Sequence, residues 1–407
     1  MIDLRISNRS AVLTLLHQTG GLSRKEIASK LQLTPATISY IVRDMLEEGV
    51  LTEERAAEQN NRFGPREIML KIDTARFRVM CAYVTTYHVN ICCADLAGNI
   101  YFRKALVCDQ VLSGAEMLKY ICQEMCSYIN TLSPFEQSGI IGAGFGVKGI
   151  CDNKRGESIT SFGLWEDNLS IKAIAERYLG GLHVMVDNDI RCLANAEILF
   201  GSKDATQEES VLLVKYGLGV GSAFMVNGEL FCGHNYRAIE LAHYVVDPLG
   251  SICRCGKRGC LETVAGFDIL ICTLKMQYSK TRMPILYELT SGHAENITAG
   301  HIIWCYEHEE KRIVDLLNSA LDRLALAITN CVRLLDPKKV TLYGFPFESG
   351  PVFHTLKEKI YHLNNGDVSA EIEKSVRNME LDDLSSAAIV IRDFITGGAV
   401  YKPFEIN

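Results

Sequence analysis

No apolar run in this 407-residue sequence reaches the roughly 18 residues that a membrane-spanning helix needs, so a membrane is not among the expected partners. The opening residues, M-I-D-L-R-I-S-N-R, lack the apolar core of a secretory signal. An overall excess of positive charge is missing too, the formal net charge being −7. That charge is unevenly spread. Residues 1–70 hold nine Lys/Arg against nine Asp/Glu, so the rest of the chain carries the whole deficit, and an N-terminal segment less acidic than the body could meet nucleic acid. Disulfide architecture is excluded on different grounds. Cysteine is plentiful, at 15 residues, but Cys81, Cys92, Cys93, Cys122 and Cys331 fall in apolar stretches, which suits a reducing cytoplasm. With 48% hydrophobic and 22% charged residues, the composition is that of a globular protein, and the length predicts about two or three domains.

The most informative stretch runs from Ile239 to Glu262. It spaces one His and three Cys as H-x9-C-x-C-x4-C: His243, Cys253, Cys255 and Cys260. Three thiolates and an imidazole form a closed tetrahedral shell for Zn²⁺, and soft sulfur disfavours Mg²⁺ or Ca²⁺. The bland alternative is cysteines packed as small hydrophobes. Two acids, Glu240 and Glu262, bracket the cluster, and a helical turn would put Glu240 on the same face as His243.

Upstream, residues 8–19 predict a helix with Val12, Leu15, Leu16 and His17 on one face, stopped by Gly20-Gly21. Ser23 to Glu26 reads as a capping box opening a second helix, and Thr34-Pro35 as the cap and first residue of a third. That third helix buries Ile38, Ile41 or Val42, and Met45 with Leu46, and leaves Ala36, Thr37, Ser39, Tyr40 and Arg43 outside. Two strand-like runs around a polar tip that carries Arg62 and Arg66 complete a wing. This is a winged helix-turn-helix, whose DNA-facing residues are expected among Ser23, Arg24, Thr34, Ala36, Thr37, Tyr40, Arg43, Arg62 and Arg66. A three-helix protein-interaction module is the alternative.

From Phe77 the pattern becomes βαβ, implying an α/β body. Gly144, Gly146 and Gly149 match G-x-G-x-x-G, but no helix opens directly after them, so a dinucleotide fingerprint is rejected. Those glycines are expected instead to bring backbone close to a ligand. Asn188 and Asp189 lie where a strand gives way to a helix, a position that suits ligand contact and helix capping equally. Gly217-Leu218-Gly219-Val220-Gly221 could cradle a phosphate, and Asn227-Gly228 signals a hairpin.

Glu240-x-x-His243, the block from Cys253 to Glu262, the upstream Asn188-Asp189 and the winged helix together resemble the ROK family (repressors, open reading frames and sugar kinases), nearly end to end. The resemblance implies an α/β fold class: a winged helix-turn-helix domain over 1–72, then an actin-like, hexokinase-like body of two lobes. Lobe 1 would span 73–190 with a C-terminal helix at about 383–407, and lobe 2 would span 191–382 with the zinc motif and oligomerisation helices. It further implies that Asn188, Asp189, Glu240, His243 and Glu262 bind sugar hydroxyls in the cleft between lobes, with Gly149 in the pocket. His243, Cys253, Cys255 and Cys260 would hold structural zinc, so His243 would serve both metal and sugar. In the family's kinases, the residue matching Asp189 is the general base.

Departures from the family pattern fall at the ATP end. Where kinases carry Asp-x-Gly-Gly-Thr, this sequence has Tyr83-Val84-Thr85-Thr86-Tyr87. Paired glycines become Gly344-Phe345, Gly217-Leu218-Gly219 lacks the usual Thr, and Lys148 replaces a Pro before Gly149. Phosphoryl transfer depends on positioning and charge stabilisation, so a broken cradle disables it. The expectation is a non-enzymatic, cytoplasmic, sugar-responsive transcriptional regulator, a repressor of carbohydrate uptake or catabolism genes. Its partners would be a double-stranded DNA operator, a sugar, and a second or further copies of itself as homodimer or homotetramer. The alternatives are an ATP-dependent sugar kinase with a DNA-binding head, and a regulator that answers a transporter protein.

Overall fold

In the computed structural model, which describes residues 4–55, 68–85, 88–106, 113–201 and 210–401, the chain divides into two units. One comprises Met1–Lys203 and Asp382–Asn407, the other Asp204–Leu381.

The first unit begins with three helices, α1 (Leu4–Thr19), α2 (Arg24–Leu31) and α3 (Pro35–Glu47). Their cap chemistry is local and reciprocal. Ser23 accepts from the backbone N–H of Glu26, and the Glu26 carboxylate accepts from the Ser23 N–H at 2.8 Å. Thr34 accepts from the N–H of Thr37 at 3.1 Å, with Pro35 at the first helical position. Val12, Leu13 and Leu16 of α1 meet Ile27 of α2 and Ile38, Ile41, Val42 and Met45 of α3 in the buried set. Strands β1 (Leu22–Ser23), β2 (Leu51–Arg55) and β3 (Ile68–Ile72) form an antiparallel sheet in the order β1-β3-β2, the base of a wing.

The body of this unit is a five-stranded sheet built from β4 (Arg78–Val84), β5 (Val89–Asp95), β6 (Ile100–Leu106), β7 (Ile140–Val147) and a strand ending at Asn188. Helices α4 (Gly114–Ile129) and α5 (Pro134–Ser138) precede β7. After it come the β8 (Ile150–Asp152) and β9 (Glu157–Thr160) hairpin, α6 (Ile171–Tyr178), β10 (Val184–Asn188) and α7 (Asp189–Phe200). The sheet order is β10-β7-β4-β5-β6: an antiparallel meander followed by two parallel strands.

The second unit repeats that plan. Strands β11 (Val211–Tyr216), β12 (Val220–Val226), β13 (Glu229–Leu230), β14 (Lys339–Tyr343) and β15 (Glu371–Lys374) run in the order β13-β12-β11-β14-β15. Between β13 and β14 lie α8 (Glu262–Ala265), α9 (Phe267–Gln277), α10 (Pro284–Leu289), α11 (Ala299–Glu307) and the 25-residue α12 (Lys311–Leu335). The apolar stripe of α12, including Leu317, Leu321, Leu324 and Ile328, forms the centre of this unit's core with Phe267, Phe347 and Leu356. Helix α13 (Gly350–Leu363) leads to β15.

The chain then returns to the first unit as α14 (Ser385–Thr396). This helix corrects one expectation. Gly142, Gly144 and Gly146 alternate along β7 and so share one face. A Cβ on Gly144 would stand 1.8 Å from the backbone oxygen of Ser386, and one on Gly146 would stand 2.5 Å from its hydroxyl. Those glycines admit α14, a helix about 240 residues away in sequence, rather than a ligand.

Candidate functional site

The cluster between β13 and α8 is a loop tied to itself. Val245 bridges to Cys260 and Ile252 to Arg258, and the Gly259 N–H donates to Ser251 O at 2.8 Å. These turns bring one donor atom each from His243, Cys253, Cys255 and Cys260 within 4.8 Å of one another. Cys253 Sγ is 3.6 Å from His243 Nδ1, and Cys255 Sγ is 3.6 Å from Cys260 Sγ. Bond lengths of about 2.3 Å to sulfur and 2.0 Å to nitrogen at a tetrahedral ion give donor separations of roughly 3.5–3.8 Å. The four residues can hold a metal ion. Burial raises the Cys253 thiol and takes Cys260 to about 12, so both keep their protons until a cation displaces them.

The helical turn expected at His243 is a single 3₁₀ turn, Leu241–His243, with Glu240 as its first cap residue. Ser222 of β12 pins this turn: its hydroxyl donates to Ile239 O and accepts from the Leu241 N–H at 3.2 Å. The His243 N–H donates to Glu240 O at 2.9 Å, which closes the turn between the two residues. His243 turns Nδ1 to the thiols, which aims its Nε2 edge away from them. Glu262 opens α8, its carboxylate 3.4 Å from where a Cβ on Gly219 would lie.

Asn188 and Asp189 stand at the β10–α7 junction. The Asn188 side-chain oxygen accepts from Ile190 N at 2.9 Å and Arg191 N at 3.1 Å, capping α7. Its amide nitrogen donates to Gly149 O at 2.8 Å and to Asp189 Oδ1 at 3.0 Å. Both donors and both lone pairs of this amide are engaged within the protein. Behind it, Asp187 and Arg191 form a buried ion pair at 2.7 Å, and Arg191 also donates to Cys151 O at 2.8 Å. Burial raises the Asp187 carboxyl above the usual range, partly offset by Arg191. Gly149 faces the β9 end so closely that a Cβ would lie 2.1 Å from Thr160 O.

A family model described as ROK family matches residues 89–388, and one described as winged helix-turn-helix DNA-binding matches residues 7–52. The chain belongs to the ROK family. The DNA-binding transcriptional dual regulator NagC of Escherichia coli K12 is 26% identical over 351 residues, covering 83% of this chain and 80% of NagC. The repressor Mlc of the same organism is 22% identical over 405 residues, 98% of this chain and 96% of Mlc. A crystal structure of a ROK family transcriptional regulator, a homologue of E. coli Mlc, matches with a TM-score of 0.81 at 21% identity, over 97% of this chain and 98% of that one. The actin-like ROK body carrying an N-terminal winged helix, expected from sequence, is the observed fold.

On the winged helix of this ROK protein, α3 presents Ala36, Ser39, Tyr40 and Arg43 to solvent, with Thr37 half-buried. The Arg43 guanidinium lies 4.9 Å from the Tyr40 ring centroid, a cation–π pair that holds both outward. Thr34 and Thr37 share a hydroxyl contact of 2.8 Å at the start of the helix. Two residues expected at DNA are otherwise engaged: Ser23 is buried with its hydroxyl on Glu26, and Arg24 pairs with Glu53 at 2.7 Å. Arg62 and Arg66, expected at the wing tip, lie outside the described residues.

Two residues outside the expected site set shape the site. Phe345 packs edge-on against Phe267, centroids 5.0 Å apart, and its ring stands 3.3 Å from where a Cβ on Gly217 would be. An aromatic side chain thus covers the glycine turn at the end of β11. The second is Ser222, whose only sequence signal was its place after a glycine series.

Proposed function

We propose that this ROK protein is a cytoplasmic transcriptional regulator, a repressor of carbohydrate uptake or catabolism genes, that senses a sugar and binds a double-stranded operator as a homodimer or homotetramer. The observation that carries this reading is the winged helix sharing one unit with the sheet and helix that present Asn188 and Asp189. Sugar hydroxyls are assigned to Asp189, Glu240, His243 and Glu262, with Asn188 and Gly149 positioning Asp189. Asn188 acts mainly by holding α7 and the Gly149 carbonyl. Structural Zn²⁺ is assigned to His243, Cys253, Cys255 and Cys260. The ion would fix the imidazole tautomer and aim, leaving Nε2 for a hydroxyl. DNA contact is assigned to the outer face of α3 (Ala36, Thr37, Tyr40 and Arg43), to Thr34 at its start, and to Arg62 and Arg66 of the wing, while Ser23 positions α2 through Glu26 and Arg24 would exchange Glu53 for a phosphate.

Catalysis is not part of this reading. The phosphate-loop position carries the buried Tyr83 in place of an Asp-led glycine turn, and Phe345 fills the space in front of Gly217. Asp189 is then a hydrogen-bonding group without a phosphoryl donor to serve. Sugar would act by binding one state of the protein more tightly than another, a coupling typically worth about 1–3 kcal/mol.

Selection of duplexes from a random pool by the purified full-length protein tests this, followed by titration of the selected operator with a panel of sugars and sugar phosphates. The expected result is a two-half-site operator whose affinity shifts severalfold with one sugar class. ATP-dependent phosphorylation of a sugar, abolished by Asp189→Asn, would replace this reading with a kinase. Operator release by a transporter domain and by no sugar would replace it with a protein-sensing regulator.

A further inference from the structure

We infer that Arg9 is a positioning residue that locks the DNA-reading helix α3 to the C-terminal helix α14 of the ROK body, so that the protein holds one fixed spacing between operator half-sites. This rests on the regulator reading above. Arg9 lies in α1 and is only 4% exposed. Its guanidinium faces two ways. Nε donates to the carbonyl of Gly398, just beyond α14, at 2.8 Å, and Nη1 donates to Glu48 Oε1 at 2.9 Å while Nη2 reaches Glu48 Oε2. Glu48 is the C-cap residue of α3. A bidentate fork fixes direction as well as distance, which a point charge does not.

The approach of α1 to α14 is itself built in. Gly398 has φ +71°, and a Cβ there would stand 3.0 Å from Ile6 O and 3.1 Å from Arg9 Cβ. At the other end of α1, His17 is half-buried, with the backbone of Leu199 near the end of α7 facing its ring. Helices α7 and α14 are in turn joined by Arg392, which donates to Asn195 Oδ1 at 2.5 Å. The first residue of α7 is Asp189. The winged helix is therefore seated on the two helices that back the ligand-facing junction, and Arg9 is the group that reaches from that seat to α3.

A winged helix on a loose tether tolerates many half-site separations, whereas a locked one does not. The test compares full-length wild type with Arg9→Met, which keeps the stem packing, Arg9→Lys, which keeps the charge without the fork, and Glu48→Gln on the partly exposed partner. The DNA probes are the operator selected by wild type and versions with the half-site centres moved by one or two base pairs. Wild type is expected to discriminate by roughly tenfold per altered spacing. All three variants should lose most of that discrimination while binding an isolated half-site as wild type does. Unchanged spacing discrimination in Arg9→Met and Glu48→Gln would overturn the inference. Amide hydrogen exchange gives a reading that needs no DNA: the amides of Glu48, Gly49 and Val50 should exchange roughly tenfold faster in Arg9→Met. Unchanged protection there would overturn the lock, whereas failure of wild type to select any duplex would overturn the regulator reading and leave the exchange result to decide the lock.

Discussion

Cys253 Sγ and His243 Nδ1 lie 3.6 Å apart, the separation of two donors that share one tetrahedral ion. Metal analysis of protein purified without chelator is expected to give one zinc per chain, and Cys260→Ser to abolish it. The pH dependence has a definite sign. Burial raises Cys253, and Cys260 to about 12, so zinc must displace protons, and apparent affinity should rise with pH. Competition with a chromophoric chelator across pH measures this, and an affinity flat in pH would refute it.

Asn188 and its neighbour Asp189 should separate in their effects. Asn188→Ala removes an N-cap and the bond to Gly149 O, and should destabilise the protein by about 1–2 kcal/mol in denaturant unfolding. Asp189→Asn keeps α7 capped. It should leave stability nearly unchanged and weaken sugar binding, read by calorimetry with the sugar that shifts operator affinity.

Gly144→Ala drives a methyl into the Ser386 backbone, an overlap that no rotamer relieves. The expected result is loss of more than about 3 kcal/mol or failure to fold in soluble form. A melting temperature equal to wild type would show that α14 does not sit on β7.

The outer face of α3 should read DNA through Tyr40 and Arg43. Arg43→Ala is expected to weaken operator binding and lower the slope of log affinity against log salt by about one. Tyr40→Ala should weaken binding with little change in that slope, since it removes no charge. Both follow from gel-shift titrations at several salt concentrations.

His17 provides a pH test of the seat under the winged helix. Burial lowers its pKa from the ordinary 6.5, so the folded state binds the proton more weakly than the unfolded chain. The stability it contributes is complete above about pH 6.5 and is lost as pH falls below that value. Wild type should therefore lose melting temperature on acidification more steeply than His17→Gln.

The legible parts of this molecule are those whose partners are close in sequence. Ser23 with Glu26, Thr34 with Pro35, and the four donors between His243 and Cys260 all lie within one cap or one loop, so residue type and spacing carry the geometry. Asn188 was open between ligand and cap because both uses want the same residue at a strand end, and the structure shows the cap. The illegible parts depend on distant partners. Nothing near Gly144 announces Ser386, and nothing near Arg9 announces Glu48, 39 residues on, or Gly398, 389 residues on. Gly144 and Gly146, expected beside a ligand, have a helix as their neighbour. The helical turn at His243 is a single 3₁₀ turn, since the knot's own hydrogen bonds hold the backbone that a longer helix would need.

The seating of α14 on β7 has a consequence for the order in which the protein comes into being. The sheet that backs the DNA-binding head waits for a helix encoded after the entire second unit. On the ribosome, that sheet has no α14 along Gly142, Gly144 and Gly146 until the residues after the second unit are made, and the head lacks that seat. A chain cut short between Asp204 and Ser385 would carry the helices of the DNA-binding head without α14. Such fragments should be degraded faster than the full-length chain.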